Sequence, residues 1–398
     1  MAADAVILSH AGKQHAYRAA AALDAAGALR HFVTSSYYKR NRWPDRIARL
    51  SPAWDAWLRN RHEASLDADR VIRFPHLELP EVTYRWLFGH DRRVARIVRW
   101  RDEAFDRRVS RRLARWGGRL FWGFQGSCRL SLVAAKELGM TTVAEFPGIP
   151  ERIARAYLEP DSGVDTQRGT ADELEAADFY LAASSFSARC LARAGAPSSR
   201  IRVLPLGVDL ERFAFRARSV GGPLKALFVG KLAPHKGIAY LLQAMRLLDS
   251  GAVTLSLVGP GAGADAMMAP YAGTFRNLGS LRGEALTQAF HAHDVLVLPS
   301  LYEGFGLVIL EAMASGMPVV ATENSCAPDV VRDAVDGFVV APRDAAAIAA
   351  RLEWCAGNRP RSIEMGAAAA ARAADFSWSR YCERVGAFVR EALAGAPR

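Results

Sequence analysis

Short runs of branched and aromatic residues recur along the chain, and each is followed by a segment whose apolar positions return every three or four residues. "AVILSH" (5–10) is predicted as a first strand, "GKQHAYRAAAALDAAGALRHF" as the glycine turn and helix after it, and "HFVTS" as a second strand. This βαβ opening points to a parallel sheet. The rhythm resumes near Trp122 with "FWGFQG", the helix "SLVAAKELGM", the strand "TTVAEF", a helix around 169–177, the strand "FYLAAS", the helix "FSARCLARAG" and the strand "IRVLPLG". Residues 208–225, "VDLERFAFRARSVGGPLK", lose the period and read as a linker. A second series follows: strands "KALFVG", "TLSLVG", a short one near "FRNLGSL", "DVLVLPS", "PVVAT" and "GFVV", interleaved with helices, then helices at 344–357 and 360–398. The fold class expected is α/β, with two doubly wound Rossmann-like domains facing a central cleft. The first spans 1–215, the second 220–375, and a C-terminal helix, 376–398, is expected to cross back to the first.

Residues 39–119 interrupt the pattern. They hold 21 Lys/Arg against 11 Asp/Glu, so this insert carries +10 of the chain's formal net charge of +11. They also hold Trp43, Trp54, Trp57, Trp86, Trp100 and Trp116. Within "DRRVARIVRWRDEAFDRRVSRRLARW", Val94, Ile97, Val98, Phe105, Val109, Leu113 and Trp116 follow helical steps, with arginines on the other face. A core-facing helix with a solvated basic side accounts for this. So does a peripheral contact with an anionic membrane, where arginines and interfacial tryptophans act together. Nucleic acid is not expected as a partner, because no nucleic-acid-binding motif accompanies the charge. Five scattered cysteines without a CxxC pair suit a reducing compartment and argue against zinc. The N-terminus lacks a basic segment, so no signal peptide is expected, and no run is long and apolar enough for a membrane span. A cytoplasmic protein, working at the inner face of the membrane, is the expectation.

Residues 303–322, "EGFGLVILEAMASGMPVVAT", set Glu303 and Glu311 eight apart at the edge of an apolar run. Glu303 falls in the loop after a strand, and Glu311 about one turn into a helix that begins near Leu307. Gly304 and Gly306 let backbone N–H groups approach a ligand, and a helix start offers unpaired donors and a positive dipole end. Two carboxylates flanking such a site suit a sugar–diphosphate–ribose ligand, each accepting from hydroxyls on one side. An ordinary strand–loop–helix, with Glu303 in solvent and Glu311 buried and paired, fits the residues equally well.

The same segment resembles the E-x7-E signature of retaining glycosyltransferases of family four, which have the GT-B fold. "VGKLAPHKG" (229–237) is similar to that family's basic pyrophosphate loop. Residues 177–213 resemble the end of its N-terminal domain, with the Pro-x-Gly-Val-Asp turn, and "LVGPGAG" (257–263) its second glycine loop. The resemblance covers roughly 170–340 closely and 5–35 loosely. It implies transfer of a sugar from a nucleotide-diphosphate donor to a hydroxyl acceptor, a glycan or a lipid-linked one, in cell-envelope or polysaccharide synthesis, with no cofactor. It implies that Glu303 binds donor-sugar hydroxyls, Glu311 the ribose, Lys231 and Lys236 the diphosphate, and the backbone at Phe305, Gly306 and Leu307 the phosphates. Gly12 would let the first loop close on the pyrophosphate, and Leu281 and Arg282 would line the base pocket. Lys231 stands where arginine is common and loses the bidentate fork. Many relatives carry a histidine after the fourth N-domain strand; here "VAEFPGIPE" has Phe146 instead. His10, His15 and Glu145 are the acceptor-side candidates, the histidines having a simpler reading as strand-end and helix-surface residues.

Rival features carry less. Asp67 and Asp69 have the spacing of a metal-binding pair but follow no clear strand, so no metal site is expected. "GPGAG" lacks the acidic residue that a dinucleotide site needs on the next strand. A nucleotide-sugar epimerase on the same fold would need acid/base groups that the first half does not visibly supply. A non-catalytic nucleotide-sugar or polyanion binder would not need Glu303, Glu311 and Lys236 intact.

Overall fold

The computed structural model describes residues 4–395 apart from 13–14, 40–44, 46–49, 52–54, 56–57, 59, 90–91, 159–173, 175, 250 and 262–263. Its first half builds a seven-stranded parallel sheet in the order β3-β2-β1-β4-β5-β6-β7. The strands are β1 (Val6–His10), β2 (Leu29–Thr34), β3 (Val71–Arg73), β4 (Leu120–Phe124), β5 (Thr141–Phe146), β6 (Phe179–Ala182) and β7 (Ile201–Val203). The second half builds a six-stranded parallel sheet, β10-β9-β8-β11-β12-β13. Its strands are β8 (Leu224–Val229), β9 (Val253–Val258), β10 (Arg276–Asn277), β11 (Val295–Leu298), β12 (Val319–Thr322) and β13 (Gly337–Val340). Every residue of β1, β4, β5, β11 and β12 is buried. Side chains on both faces of these strands are therefore covered by helices, which is why the runs read as continuously apolar. In each sheet the chain leaves its first strand in one direction and returns to the other side, so β1 lies beside β4 and β8 beside β11. A crevice opens at the carboxyl ends of each such pair.

Residues 39–119 are not an appendage to this frame. β3 extends the first sheet by pairing with β2, Val33 opposite Ile72. The helix Arg92–Ser110 buries Phe105 and Val109 in the core. Its Asp106 accepts backbone N–H bonds from Leu130 (2.7 Å) and Ser131 (2.9 Å), so it closes the start of the helix Arg129–Glu137 from outside. The expected amphipathic helix over 94–116 is interrupted: it stops at Ser110, whose hydroxyl turns back to the Arg107 carbonyl, and resumes as Leu113–Trp116. Its apolar face is taken up by the core in its second half. Asp67 accepts from the Asp69 backbone N–H (2.9 Å) and so caps the turn Ala68–Arg70. Trp43, Trp54 and Trp57 lie outside the described residues, as does most of the helix expected around 169–177.

The final helical stretch is also two helices. Arg359–Ala373 ends in the turn Ala374–Phe376, and Ser377 caps a new helix, Trp378–Ala394, by accepting from the Arg380 N–H (3.3 Å). This last helix lies on the first sheet's layer, against Ala16–Ala25. Phe388 meets Trp122 edge-on at 5.6 Å and Phe179 at 5.9 Å, and Glu391 pairs with Arg202 at 2.7 Å. The chain thus crosses between the halves twice, and the crossings touch: the Val208 N–H bonds the Phe376 carbonyl at 2.8 Å. Within the linker, Arg218 is pinned to the second half by bonds to the carbonyls of His293 (2.9 Å), Ser315 (2.9 Å) and Phe290 (3.0 Å). Phe388→Ala empties a ring-sized space between two aromatic rings and is expected to cost about 3–5 kcal/mol of stability. A urea titration showing no loss would detach this helix from the stability of the first half.

Candidate active site

The basic loop after β8 is shaped by one close contact. Pro234–Lys236 form a short turn ending at Gly237, which has φ +69°, and a Cβ there would sit 1.9 Å from the Pro299 carbonyl oxygen. Only glycine allows that approach. It presses the turn against the end of β11, so Lys236 spans the crevice and its Nζ ion-pairs with Glu303 Oε1. Ser300 Oγ donates to the same oxygen at 2.9 Å. The Glu303 loop is stapled from the end of β12: the Glu303 N–H bonds the Asn324 carbonyl (2.9 Å), Asn324 Nδ2 bonds the Leu301 carbonyl (2.8 Å), and Thr322 Oγ1 bonds the Ser300 carbonyl (2.6 Å). The helix Leu307–Ala314 then begins from Gly306 with no side-chain cap, which leaves its first N–H groups for a ligand. Lys231 is exposed at the mouth of the same loop. His235 stacks on Tyr302 (5.4 Å, 24° between planes), and burial together with neighbouring Lys236 holds its imidazole below the ordinary range.

Glu311 is the fifth residue of that helix. Burial pushes its carboxyl up to about 7, with Arg212 as the opposing cation. Phe305 is buried, Leu307 half-buried, and Leu281 packs half-buried against the core beside the exposed Arg282, which precedes the helix Gly283–Ala292.

The first half closes over this loop. Ser184 Oγ donates to the Gly304 carbonyl (2.9 Å), and the Ser185 N–H to Asp329 (2.8 Å). A Cβ on Gly304 would lie 1.9 Å from the Pro147 carbonyl oxygen, so the two halves meet backbone to backbone here. Tyr302 joins Tyr157, Phe186, Ile149 and Cys190 in a small apolar cluster shared by both halves.

The three acceptor-side candidates have different fates. His15 Nε2 pairs with Glu145 Oε1, and Trp122 Nε1 donates to Glu145 Oε2 at 2.8 Å. The His15 and Glu145 side chains are 8% and 5% exposed, so His15 is not a helix-surface residue: it is drawn inward by a buried carboxylate. His10 is buried against Phe124 (4.6 Å) with neither ring nitrogen hydrogen-bonded, and burial lowers its imidazole to about 3. Gly12 turns the chain away beside it, its Cβ position 3.1 Å from His10 Nε2. Sequence reasoning missed Ser300, Asn324, Ser184, Tyr302 and Asp329. Ser300, at the end of a strand facing the glutamate loop, was the one with a visible signal.

Two facing parallel-sheet halves with charged loops at both switch points define a GT-B-type architecture. Sucrose-phosphate synthase from Thermosynechococcus elongatus superimposes with a TM-score of 0.69 at 20% identity, over 98% of this chain and 99% of that one. Anabaena HepE, solved with UDP and glucose, does so with a TM-score of 0.65 at 16% identity, over 97% and 99%. In sequence, residues 223–358 match the family described as glycosyl transferases group 1. A GDP-mannose-dependent alpha-mannosyltransferase of Mycobacterium tuberculosis is 31% identical over 281 residues, 68% of this chain and 69% of that protein. The chain belongs to the glycosyl transferases group 1 family. A D-inositol 3-phosphate glycosyltransferase of Nocardia farcinica is 34% identical over 244 residues, 55% of this chain; the match spans about half of that relative (54%).

The raised carboxyl of Glu311 has a measurable consequence. Because folding favours its protonated form, its contribution to stability is complete below about 4.5 and is lost as pH rises through about 7. Glu311→Gln, neutral throughout, is expected to melt higher than wild type at pH 8 and close to it at pH 5. Equal melting shifts at both pH values would show an ordinary carboxyl.

Proposed function

We propose that the chain is a retaining glycosyltransferase that needs no metal. It moves a sugar from a nucleotide-diphosphate donor to a hydroxyl of a glycan or lipid-linked acceptor, in cell-envelope or polysaccharide synthesis at the cytoplasmic face of a membrane. The observation that carries the reading is the Lys236–Glu303 pair at the β8/β11 crevice, set against the uncapped start of Leu307–Ala314. In the free protein each charge neutralises the other. A donor would divide them: Lys236 and the helix N–H groups toward the diphosphate, Glu303 toward sugar hydroxyls, Glu311 toward the ribose. Lys231, exposed beside the same loop, would add a second cation. The GDP-mannose and UDP named for relatives and fold neighbours support a nucleotide donor.

The chemistry then asks little more of the side chains. The bond from the anomeric carbon to the phosphate oxygen breaks, and charge gathers on the leaving diphosphate where Lys236 and the helix start can stabilise it. The acceptor oxygen bonds the anomeric carbon from the same face, and its proton passes to the departing phosphate. Glu145, engaged by His15 and Trp122, serves in this reading to hold the first loop rather than to accept that proton.

The decisive experiment incubates the protein with a panel of UDP-, GDP- and dTDP-sugars, with and without bacterial lipid extract, and measures release of nucleoside diphosphate and new glycoside. Release without a glycoside, or a donor returned as its epimer, would defeat the reading. Lys236→Ala is expected to lower turnover by about 2–4 kcal/mol of barrier, and near-normal turnover would remove the lysine from the chemistry. Activity is expected to survive excess chelator; loss restored by magnesium or manganese would show that the lysines do not suffice.

A further inference from the structure

Six of the fourteen exposed large apolar side chains among the described residues lie on one helical hairpin: Leu79, Val82, Trp86, Leu87, Phe88 and Trp100. The hairpin consists of the helix Leu79–Phe88, none of whose residues is buried, and the first half of Arg92–Ser110. Trp86, Leu87 and Phe88 are consecutive and 82%, 56% and 66% exposed. Between the two helices runs an open groove of about 470 Å³ lined by Pro80, Tyr84, Arg93, Arg96, Ile97 and Trp100. A soluble surface rarely leaves so contiguous an apolar patch uncovered.

The charges along its second helix favour arginine, five at 92–101 against Asp102 and the exposed Glu103. Glu81 is held by Arg85 (2.7 Å) and Arg101 (2.5 Å), and Asp102 by Arg101 (2.7 Å). Arg96 and Arg99 are exposed and make no ion pair among the described residues. A second copy seated on the patch would bring these arginines against their own counterparts, which opposes pairing. An anionic bilayer meets both features, since acyl chains accept the rings and headgroup phosphates the guanidinium groups.

We infer that this hairpin is a peripheral membrane-docking tip, with Trp86, Leu87 and Phe88 entering the interface of an anionic bilayer and Arg96 and Arg99 binding its headgroups. Ten residues of helix rise about 15 Å, half a hydrocarbon core, so the tip rests in the interface. It lies at the opposite end of the helix from Arg107, where the apolar face is already spent on Phe105 and Val109. Its root ties it to the cleft: Glu78, just before the first helix, accepts from Ser35 Oγ (2.6 Å) after β2 and pairs with Arg61. That is the sheet edge carrying His10 and His15, so a lipid-anchored acceptor would reach the cleft from the docked side. The docking stands apart from the donor chemistry, and its test does not use it.

The test is flotation of the full chain with phosphatidylcholine vesicles, with or without phosphatidylglycerol. Wild type is expected to float with the anionic vesicles at low salt, to be released at high salt, and to ignore phosphatidylcholine alone. The pair Trp86→Ser and Phe88→Ser, and separately Arg96→Glu and Arg99→Glu, are each expected to lower vesicle partition at least about tenfold with unchanged melting temperature. The inference is overturned if wild type stays unbound with anionic vesicles at low salt, or if both double variants float like wild type. A concentration-dependent dimer on gel filtration that Trp86→Ser abolishes would give the patch to a second copy and overturn it as well. Nucleotide-sugar turnover can fail or succeed without altering any of these outcomes.

Discussion

Parallel strands covered on both faces leave no room for an unpaired charge, so charge collects where the strands end. The Lys236–Glu303 pair is the sharpest case. The lysine follows β8, the glutamate follows β11, and the strand order makes those two neighbours although 67 positions separate the residues. Everything around the pair serves its placement. Gly237 brings the lysine turn against Pro299, Ser300 steadies the carboxylate, and Asn324 and Thr322 hold the loop from the next strand. The pair is part-buried, 19% and 11% exposed, so each charge depends on the other and on the loops that hold both in place.

The first half answers with a different use of the same edge. At its own switch point the buried charge is satisfied internally, His15 and Trp122 both serving Glu145. Glu145, one of the three acceptor-side candidates, thereby spends both carboxylate oxygens on internal partners. His10 has the opposite problem, with two ring nitrogens buried and unbonded. Burial keeps its imidazole neutral, and His15 and Arg101 also act against a proton.

Much of the fold was legible because parallel strands write themselves as unbroken apolar runs and the helices between them repeat every three or four residues. The start of the helix at Leu307 and the position of Glu311 followed from the glycines before them. Breaks inside helical stretches were less legible: the stops at Ser110 and at Ala374–Ser377 depend on single serines whose role emerges from the backbone they meet. Residues 39–119 looked foreign because their charge hides an ordinary edge strand only three residues long, β3. The site's charged members stood out by type and spacing, while Ser184, Asp329 and Tyr302 act across the two halves. No local pattern announces a contact between residues more than a hundred positions apart.

The touching of the two chain crossings, Val208 on Phe376, locates the halves at one place. A shift of either crossing along the other would break that bond. The Ser184–Gly304 bond fixes the register in which the halves meet at a second place. Two separated points of contact locate one body on another as two pins locate a plate, where a single point would leave it free to turn.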